Sequence, residues 1–403
     1  MDDVVIVGAS AAGLAAAESL RREGYAGRLH VVGAEAHLPY DRPPLSKRVL
    51  SGEWTADRTM IRNSDALASL DANWILETSA QGLDLDSREV KLADGWALGY
   101  DGLVIATGVS PRRLPSGHEL TGVHTLRTRD DADRLRAALL EGPRVVVVGA
   151  GFLGAEAAAV ACQIGLEVTL VAPETAPMGQ QLGVLVGSKL GELHADRGVR
   201  LHMGTSVAEL VADRGRVVGV RLVDGSRLDA DLVLVAIGSV PNTGWLQGSG
   251  LGLSDGVECD ALCRAAPGVV AAGDVANWFH PGVGRRIRVE HRMNAAEQGH
   301  AAARTLLDLG SAFAPVPYAW SDQYDVTLRM YGVLTPTARA ELVAGDPGAG
   351  RFAVAYRDDD SVVAALTWNM PREAIALRQQ VAEVYDRRAT GPSAQIAAAP
   401  GSR

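Results

Sequence analysis

The apolar run Val4 to Val7 ends at Gly8 and gives way to an alanine-rich amphipathic segment from about Ala11. That pattern predicts a buried parallel strand, a tight turn and a helix running to about Arg22. Gly24 then leads into a second strand, Leu29 to Val32. Further on, Val90-Lys91-Leu92 with the turn residues Asp94-Gly95 predicts a hairpin, followed by the buried strand Leu103 to Ala106 and the pair Thr107-Gly108. From Pro143 the series restarts. Val145 to Val148 is apolar, Gly149 to Gly154 is glycine-rich, and a helix, the strand Val168 to Val171, a hairpin at Asp224-Gly225 and the strand Leu232 to Val235 follow, closing at Ala236-Ile237-Gly238. The order of parts repeats that of residues 4 to 108, which predicts an internal duplication of one strand-turn-helix unit.

Beyond Pro241-Asn242 the run Val269 to Ala272 predicts a short buried strand ending in Gly273-Asp274-Val275. A helix with an alanine-rich face is expected from Asn294 to Leu309, and Pro315 and Pro317 mark a boundary. Strands near Thr327 to Tyr331, Phe352 to Tyr356 and Val362 to Trp368 predict a small antiparallel α+β domain. The Ala/Pro/Ser tail from Gly391 is expected to be disordered.

With 403 residues, 47% of them hydrophobic, the chain is long enough for two or three domains. No apolar run reaches the about 20 residues of a membrane-spanning helix, and Met1-Asp2-Asp3 leaves no room for a signal peptide, so a soluble, cytoplasmic protein is expected. The formal charge of -9 argues against general nucleic-acid binding. Lysine occurs only at positions 47, 91 and 189. Cys162, Cys259 and Cys263 form neither a paired framework nor a C-x-x-C motif, and the histidines show no ligand-spaced cluster, so no metal is expected.

Gly8-Ala9-Ser10-Ala11-Ala12-Gly13 sits where a strand hands over to a helix, the place where backbone N–H groups and the helix dipole receive a dinucleotide's pyrophosphate. Ser10 stands at the second glycine of the usual G-x-G-x-x-G, and taken alone the loop is compatible with a turn that binds nothing. Gly149-Ala150-Gly151-Phe152-Leu153-Gly154 is a complete match, and the repeat turns both loops toward dinucleotide binding. Glu35 lies at the distance where an acid accepts hydrogen bonds from an adenosine ribose; a solvated charge is the alternative. Asp274, at a strand's carboxyl end, could hold a ribityl or ribose hydroxyl or act as an N-cap. The stretch Pro39-Tyr40-Asp41-Arg42-Pro43-Pro44-Leu45-Ser46-Lys47 is by composition a rigid loop, with Lys47 where a short helix could begin.

These residues carry a likeness. From Val4 to about Arg388 the chain resembles the FAD-dependent, NADH-using ferredoxin reductases of the putidaredoxin reductase and rubredoxin reductase kind. The likeness rests on Gly8 to Gly13, Pro39 to Lys47, Ala106-Thr107-Gly108, Gly149 to Glu156 and Ala271 to Val275. It continues through Val289-Glu290-His291, Asn294-Ala295 with Gln298-Gly299, and Trp320-Ser321-Asp322-Gln323. The resemblance implies two Rossmann-like dinucleotide-binding domains of glutathione-reductase-like architecture plus a C-terminal α+β domain. Residues 1–111 with 240–316 would bind FAD, 112–239 NAD, and 317–390 would cover the flavin.

The resemblance further puts Lys47 near flavin N5 with Glu156 as its ionic partner, Asp274 on the ribityl chain, Arg42 and Arg127 near FAD, and Trp320 near the isoalloxazine. The implied FAD set also includes Gly8, Ser10, Ala12, Gly13, Glu35, Thr107, Gly108, Gly273 and Val275. The NAD set is Gly149, Gly151, Phe152, Leu153, Gly154, Glu174 and Gly238. Ala172 departs from the pattern where an acid is usual, with Glu174 as an approximate substitute; NADH is favoured over NADPH because no arginine lies nearby. Arg292 replaces a tryptophan, and Tyr318 an aromatic that is often tryptophan.

Disulfide reductases of this architecture carry a redox dithiol after the first unit, but here no thiol precedes Cys162. One-electron exit to an iron–sulfur ferredoxin is therefore expected, serving a cytochrome P-450 type monooxygenase or a dioxygenase. The alternatives are rubredoxin, quinone or oxygen as acceptor, or a non-catalytic NADH-sensing flavoprotein. Arg285, Arg286, Arg288 and Arg292, helped by Arg372 and Arg378, offer a docking patch for an acidic ferredoxin, with a solvated face as the bland alternative. A monomer or weak dimer is expected.

Overall fold

The computed structural model describes residues 1–390, and the tail expected to be disordered lies outside the described residues. The first sheet has six strands in the order Arg264–Ala266, Val269–Ala271, Gly102–Ile105, Asp3–Val7, Arg28–Val32, Ala72–Ile75, all parallel except the first. The second has five parallel strands in the order Arg200–Met203, Val168–Ala172, Val145–Val148, Leu232–Val235, Val123–His124. Near-continuous burial of the central strands explains why they read as unbroken Val/Ile/Leu runs: helices and small sheets cover both faces.

The duplication predicted from the pattern holds at the level of single residues. Gly8 N–H donates to Val32 O and Gly149 N–H to Val171 O, both at 2.8 Å; Ala106 N–H donates to Val7 O and Ala236 N–H to Val148 O, both at 2.7 Å. Each unit carries its own three-stranded antiparallel sheet, Ala80–Asp84 with Glu89–Leu92 and Ala97–Gly99, and Val207–Asp213 with Arg216–Leu222 and Arg227–Asp229. An aspartate at the foot of the adjoining strand caps the start of each central strand. Asp101 accepts from the Asp2 and Asp3 N–H groups at 2.6 and 3.1 Å, and Asp231 from Arg144 N–H at 3.0 Å. The chain leaves the first unit through Val109–Pro111 and returns through Ser239–Pro241, and these segments pair antiparallel as a two-stranded ribbon.

The last part is a five-stranded antiparallel sheet in the order Tyr318–Gln323, Val326–Gly332, Ser361–Trp368, Arg351–Asp358, Arg339–Asp346. Period-two alternation sorts its faces. Ala353, Ala355 and Ala365 face Leu377, Val381 and Tyr385 of the helix Pro371–Thr390, while Phe352, Val354, Tyr356 and Trp368 pack on Met178, Leu182, Val186 and Leu190 at the helix Gly179–Asp196 of the second unit. Each large side chain on that second face contributes about 1.5–3 kcal/mol of burial, enough to fix the domain against the second unit. The helix expected at Asn294–Leu309 spans Arg292–Leu306. Among the described residues, no helix is long and apolar enough to cross a membrane and no group of His, Cys, Asp and Glu could hold a metal. Cys259 and Cys263 are buried, which pushes both thiols up, that of Cys263 to about 12.

Candidate functional site: two nucleotide loops and a buried lysine–glutamate pair

Sterics dictate the glycines of both loops. Gly8 has φ +127°, and a Cβ there would lie 2.0 Å from Ala106 O; Gly149 has φ +102°, and its Cβ would lie 2.2 Å from Ala236 O. At Gly13 and Gly154 a Cβ would sit 1.9 Å from the carbonyl oxygen of Gly8 and Gly149 respectively, so the third glycine lets the helix pack on the turn. The second position has no such demand. Ser10 (φ −135°, ψ −157°) and Gly151 (φ −73°, ψ −170°) are both extended, and a Cβ on Gly151 meets nothing within 4 Å. A serine is accommodated there without strain. The helices Ala11–Arg22 and Phe152–Gln163 start at these loops with no side-chain cap, leaving their first N–H groups for an anion.

Glu35 and Glu174 occupy the same place in the two units, three residues past the paired Val32 and Val171. The carbonyls of Gly33 and Glu35 accept from Thr78 and Glu77 N–H, and those of Ala172 and Glu174 from Thr205 and Gly204 N–H. Their side chains differ. Glu35 accepts from Arg42 Nη2 at 2.6 Å and from the Tyr40 hydroxyl, and Arg42 also donates to Tyr40 Oη at 3.0 Å and Arg127 O at 2.8 Å. Burial, with Glu35 close by, holds the Tyr40 phenol well above its ordinary range. Glu174, half-buried, has no side-chain partner among the described residues.

Arg127 Nη2 donates to Asp274 Oδ2 at 2.8 Å, and Gly273, with φ +77°, brings its backbone against Ala12 and Ala295. Gly273 N–H donates to Gln298 Oε1 at 2.9 Å, and Val275 is buried behind it. In the same closing helix the buried Asn294 leaves Oδ1 without a partner. Arg292, the helix's first residue, pairs with Asp41 of the Pro39–Lys47 loop, bridging the two sides. Thr107 and Gly108 meet the returning chain instead: Thr107 Oγ1 donates to Asn242 O at 2.9 Å, and Asn242 N–H to Gly108 O at 3.0 Å. Gly238, with φ +92°, accepts from Arg112 N–H at 2.9 Å at the ribbon. The uncapped helix starts, the glycine cradles that a Cβ would fill and the acid after each second strand fit a dinucleotide at each unit.

At the far end, Lys47 Nζ lies 2.8 Å from Glu156 Oε2, with side-chain exposures of 15% and 5%. The spacing in the sequence is over 100 residues. Two serines complete the carboxylate's shell: Ser46 Oγ donates to Oε2 at 2.7 Å and Ser321 Oγ to Oε1 at 2.6 Å. Both lie inside stretches that carried the resemblance, yet nothing in their spacing pointed to Glu156. Trp320, on the same strand as Ser321 but facing the other way, stacks on Tyr318 with centroids 5.8 Å apart. Phe152 of the second loop meets His291 edge-on at 5.6 Å, and burial holds that imidazole below its usual range. Leu153 is half-buried against the core beneath the second sheet.

The arginine cluster divides. Arg288 is paired with Asp255 (3.1 Å) and Glu290, and Arg292 with Asp41; their side chains are only 12% and 19% exposed. Both are neutralised by acids, Asp255 and Asp41 lying 33 and 251 residues away along the chain, so they are not free positive charge. Arg285 and Arg286 remain exposed, as do Arg372 and Arg378.

The pattern of the pyridine nucleotide-disulphide oxidoreductases matches residues 2–299, and that of a reductase C-terminal domain matches residues 318–397. A ferredoxin--NAD(P)(+) reductase of a Sphingomonas species is 40% identical over 367 residues, covering 90% of this chain and 88% of the relative. The anthranilate 1,2-dioxygenase system ferredoxin--NAD(+) reductase component of Burkholderia cepacia is 39% identical over 390 residues, covering 94% of each. The crystal structure of a covalent putidaredoxin reductase–putidaredoxin complex matches with a TM-score of 0.91 at 33% identity, over 96% of this chain and 93% of that one. The duplicated nucleotide unit, its antiparallel C-terminal domain and these matches agree: the chain belongs to the pyridine nucleotide-disulphide oxidoreductase family, in the branch that carries the reductase C-terminal domain.

Proposed function

We propose that the chain is a flavoprotein reductase that draws electrons from NADH, passes them through FAD and delivers them to a small iron–sulfur ferredoxin serving a P-450 type monooxygenase or a dioxygenase. The observation that carries this reading is the buried Lys47–Glu156 pair, at 2.8 Å, in the region where thiol-using members of the architecture keep their cysteines. The names of the relatives, ferredoxin reductases of oxygenase systems, support it. FAD, when bound, takes two electrons from a nicotinamide and releases them singly.

The first loop, Arg42, Arg127, Gly273 and Asp274 are assigned to FAD; the second loop, with Glu174 at the adenosine ribose, to NADH. Glu156 and its serines hold the Lys47 ammonium in one place, where it stabilises negative charge at the reacting end of the isoalloxazine. Trp320 and Tyr318 form the edge from which electrons leave. Arg285 and Arg286, with Arg372 and Arg378 in support, are the docking charges for an acidic ferredoxin.

Anaerobic mixing of the holoprotein with NADH should bleach the flavin rapidly, and cytochrome c reduction should then depend on an added ferredoxin chosen from a small panel. A long-lived NADH complex with no ferredoxin-dependent turnover would overturn the reading. Arg285→Glu with Arg286→Glu should slow ferredoxin reduction at least about tenfold at low salt and spare ferricyanide reduction. Equal loss of both activities would remove the docking assignment.

A further inference from the structure

The Lys47–Glu156 pair is the end of a longer buried chain. Gln323 Nε2 donates to Ser321 Oγ at 3.0 Å; His194 Nε2 lies 2.8 Å from Gln323 Oε1; the Tyr324 hydroxyl lies 3.1 Å from His194 Nδ1. Ser321, Gln323 and His194 are buried to within 1% of full burial, while Tyr324 reaches the surface, where the Arg197 guanidinium covers its ring at 5.1 Å. Lys47 belongs to the first unit, Glu156 and His194 to two helices of the second, Ser321 and Gln323 to the C-terminal sheet, and Tyr324 to the turn that follows their strand. Tyr324 has φ 56°, a left-handed conformation that is costly for an aromatic residue and that the hairpin accepts in aiming this hydroxyl.

The direction of every hydrogen bond follows from the carboxylate, which only accepts. Ser321 must therefore give its proton to Glu156, and its oxygen can only accept from Gln323. The Gln323 amide then presents NH₂ to Ser321 and its oxygen to His194, so Nε2 of His194 carries a proton. Burial keeps the imidazole neutral, leaving Nδ1 to accept from Tyr324. Each member removes one freedom from the next. Tyr324 fixes the tautomer of His194; His194 prevents the Gln323 amide from turning over; Gln323 stops the Ser321 hydroxyl from rotating away from Glu156. Donors aligned toward a charge in a low-dielectric interior reinforce one another.

We propose that His194, Gln323 and Tyr324 are positioning residues for Lys47, a relay of orientation that runs from the surface of the C-terminal domain to the flavin-facing ammonium. The proposal rests on the reading that Lys47 faces the bound flavin. Without His194 the amide has two orientations, one of which draws the Ser321 proton off Glu156, and the ammonium loses its single position.

The test compares holoprotein variants His194→Phe, His194→Gln, Tyr324→Phe and Lys47→Met by the two-electron midpoint potential of the flavin and the rate of its reduction by NADH. His194→Phe should shift the potential in the same direction as Lys47→Met, by less, and slow reduction about fivefold, the loss of one hydrogen bond's worth of positioning. His194→Gln, which keeps a donor near the place of Nε2, should recover most of both. Tyr324→Phe removes a single hydroxyl near the surface and should give a smaller shift of the same sign, so the proposal can be tested even if His194→Phe does not fold. If Lys47→Met moves the potential and neither His194→Phe nor Tyr324→Phe does, the relay is wrong and the role of Lys47 stands. If His194→Gln is as impaired as His194→Phe, the effect is packing and the relay is overturned. If Lys47→Met itself leaves the potential unchanged, the assignment of Lys47 falls, and the relay with it.

Discussion

The two nucleotide units have the same strand register, the same glycine contacts and an acid at the same place, yet one acid is held by neighbouring side chains and the other, among the described residues, is not. Glu35 is held by Arg42 and Tyr40, and Arg42 also bonds the carbonyl of Arg127, which itself grips Asp274. Glu174 is half-buried and has no side-chain partner among the described residues. A ring of mutually bonded side chains preorganises a site and slows release. A half-buried carboxylate with no side-chain partner suits a ligand that arrives and leaves on every turnover. On the proposed assignment of FAD to the first unit and NADH to the second, one backbone would serve residence and exchange, with the difference in a few side chains of the Pro39–Lys47 loop.

Disturbing the third glycines should have the largest effect. Gly13→Ala and Gly154→Ala each set a methyl carbon 1.9 Å from a backbone oxygen, an overpacking that costs about 1–3 kcal/mol or more. Gly13→Ala is expected to purify without its yellow colour. Gly154→Ala should retain flavin absorbance but lose reduction by NADH in an anaerobic titration. Identical behaviour of the two would abolish the division of labour.

Exchanging the acids should be milder. Glu35→Ala strands Arg42 and Tyr40 and is expected to lower stability by about 1–2 kcal/mol and to speed FAD release, read as fluorescence on dilution. Glu174→Ala should leave melting and FAD retention as they are while raising the KM for NADH about tenfold and narrowing the preference over NADPH.

The smallest difference concerns acid. The Arg144 side chain beside Asp231 holds that carboxyl at about 2, and the N–H groups of Asp2 and Asp3 hold Asp101 below the usual range. Because both values are depressed in the folded chain, their stabilisation is complete above the unfolded value of about 3.9 and is lost as pH falls through the folded one. Asp231→Asn should flatten the fall in melting temperature between about pH 4 and pH 2, and Asp101→Asn should do so by less, since Asp231 also holds the Arg144 guanidinium whereas Asp101 accepts only from backbone N–H groups.

Much of this was legible because it is local. Apolar runs, glycine spacing and their repetition gave both loops, and the position of Ser10 proved tolerable for a reason visible in one dihedral pair. What escaped depends on partners far along the chain. Arg288 and Arg292 read as free charge until Asp255 and Asp41 closed on them, and His194 lies 129 residues from Gln323. The edge strand Arg339–Asp346 was missed because all but one of its residues are exposed, so no alternation marks it. The equivalence of Glu174 and Glu35 is a matter of backbone register, each standing three residues past the strand residue whose carbonyl accepts from the loop glycine.

The ribbon formed by Val109–Pro111 and Ser239–Pro241 also bears on how the chain matures. Every strand of the second sheet lies between Val123 and Val235, but the first sheet lacks Val269–Ala271 until the insert has been made. Synthesis from the N-terminus therefore finishes the inner unit first, and the ribbon joins its two ends so that the outer unit closes around a folded body and not a long coil, whose closure entropy rises with length. A nascent chain that has reached Gly238 contains every strand of the second sheet but lacks Val269–Ala271, the partner of Gly102–Ile105 in the first, and Asp274 is still to come.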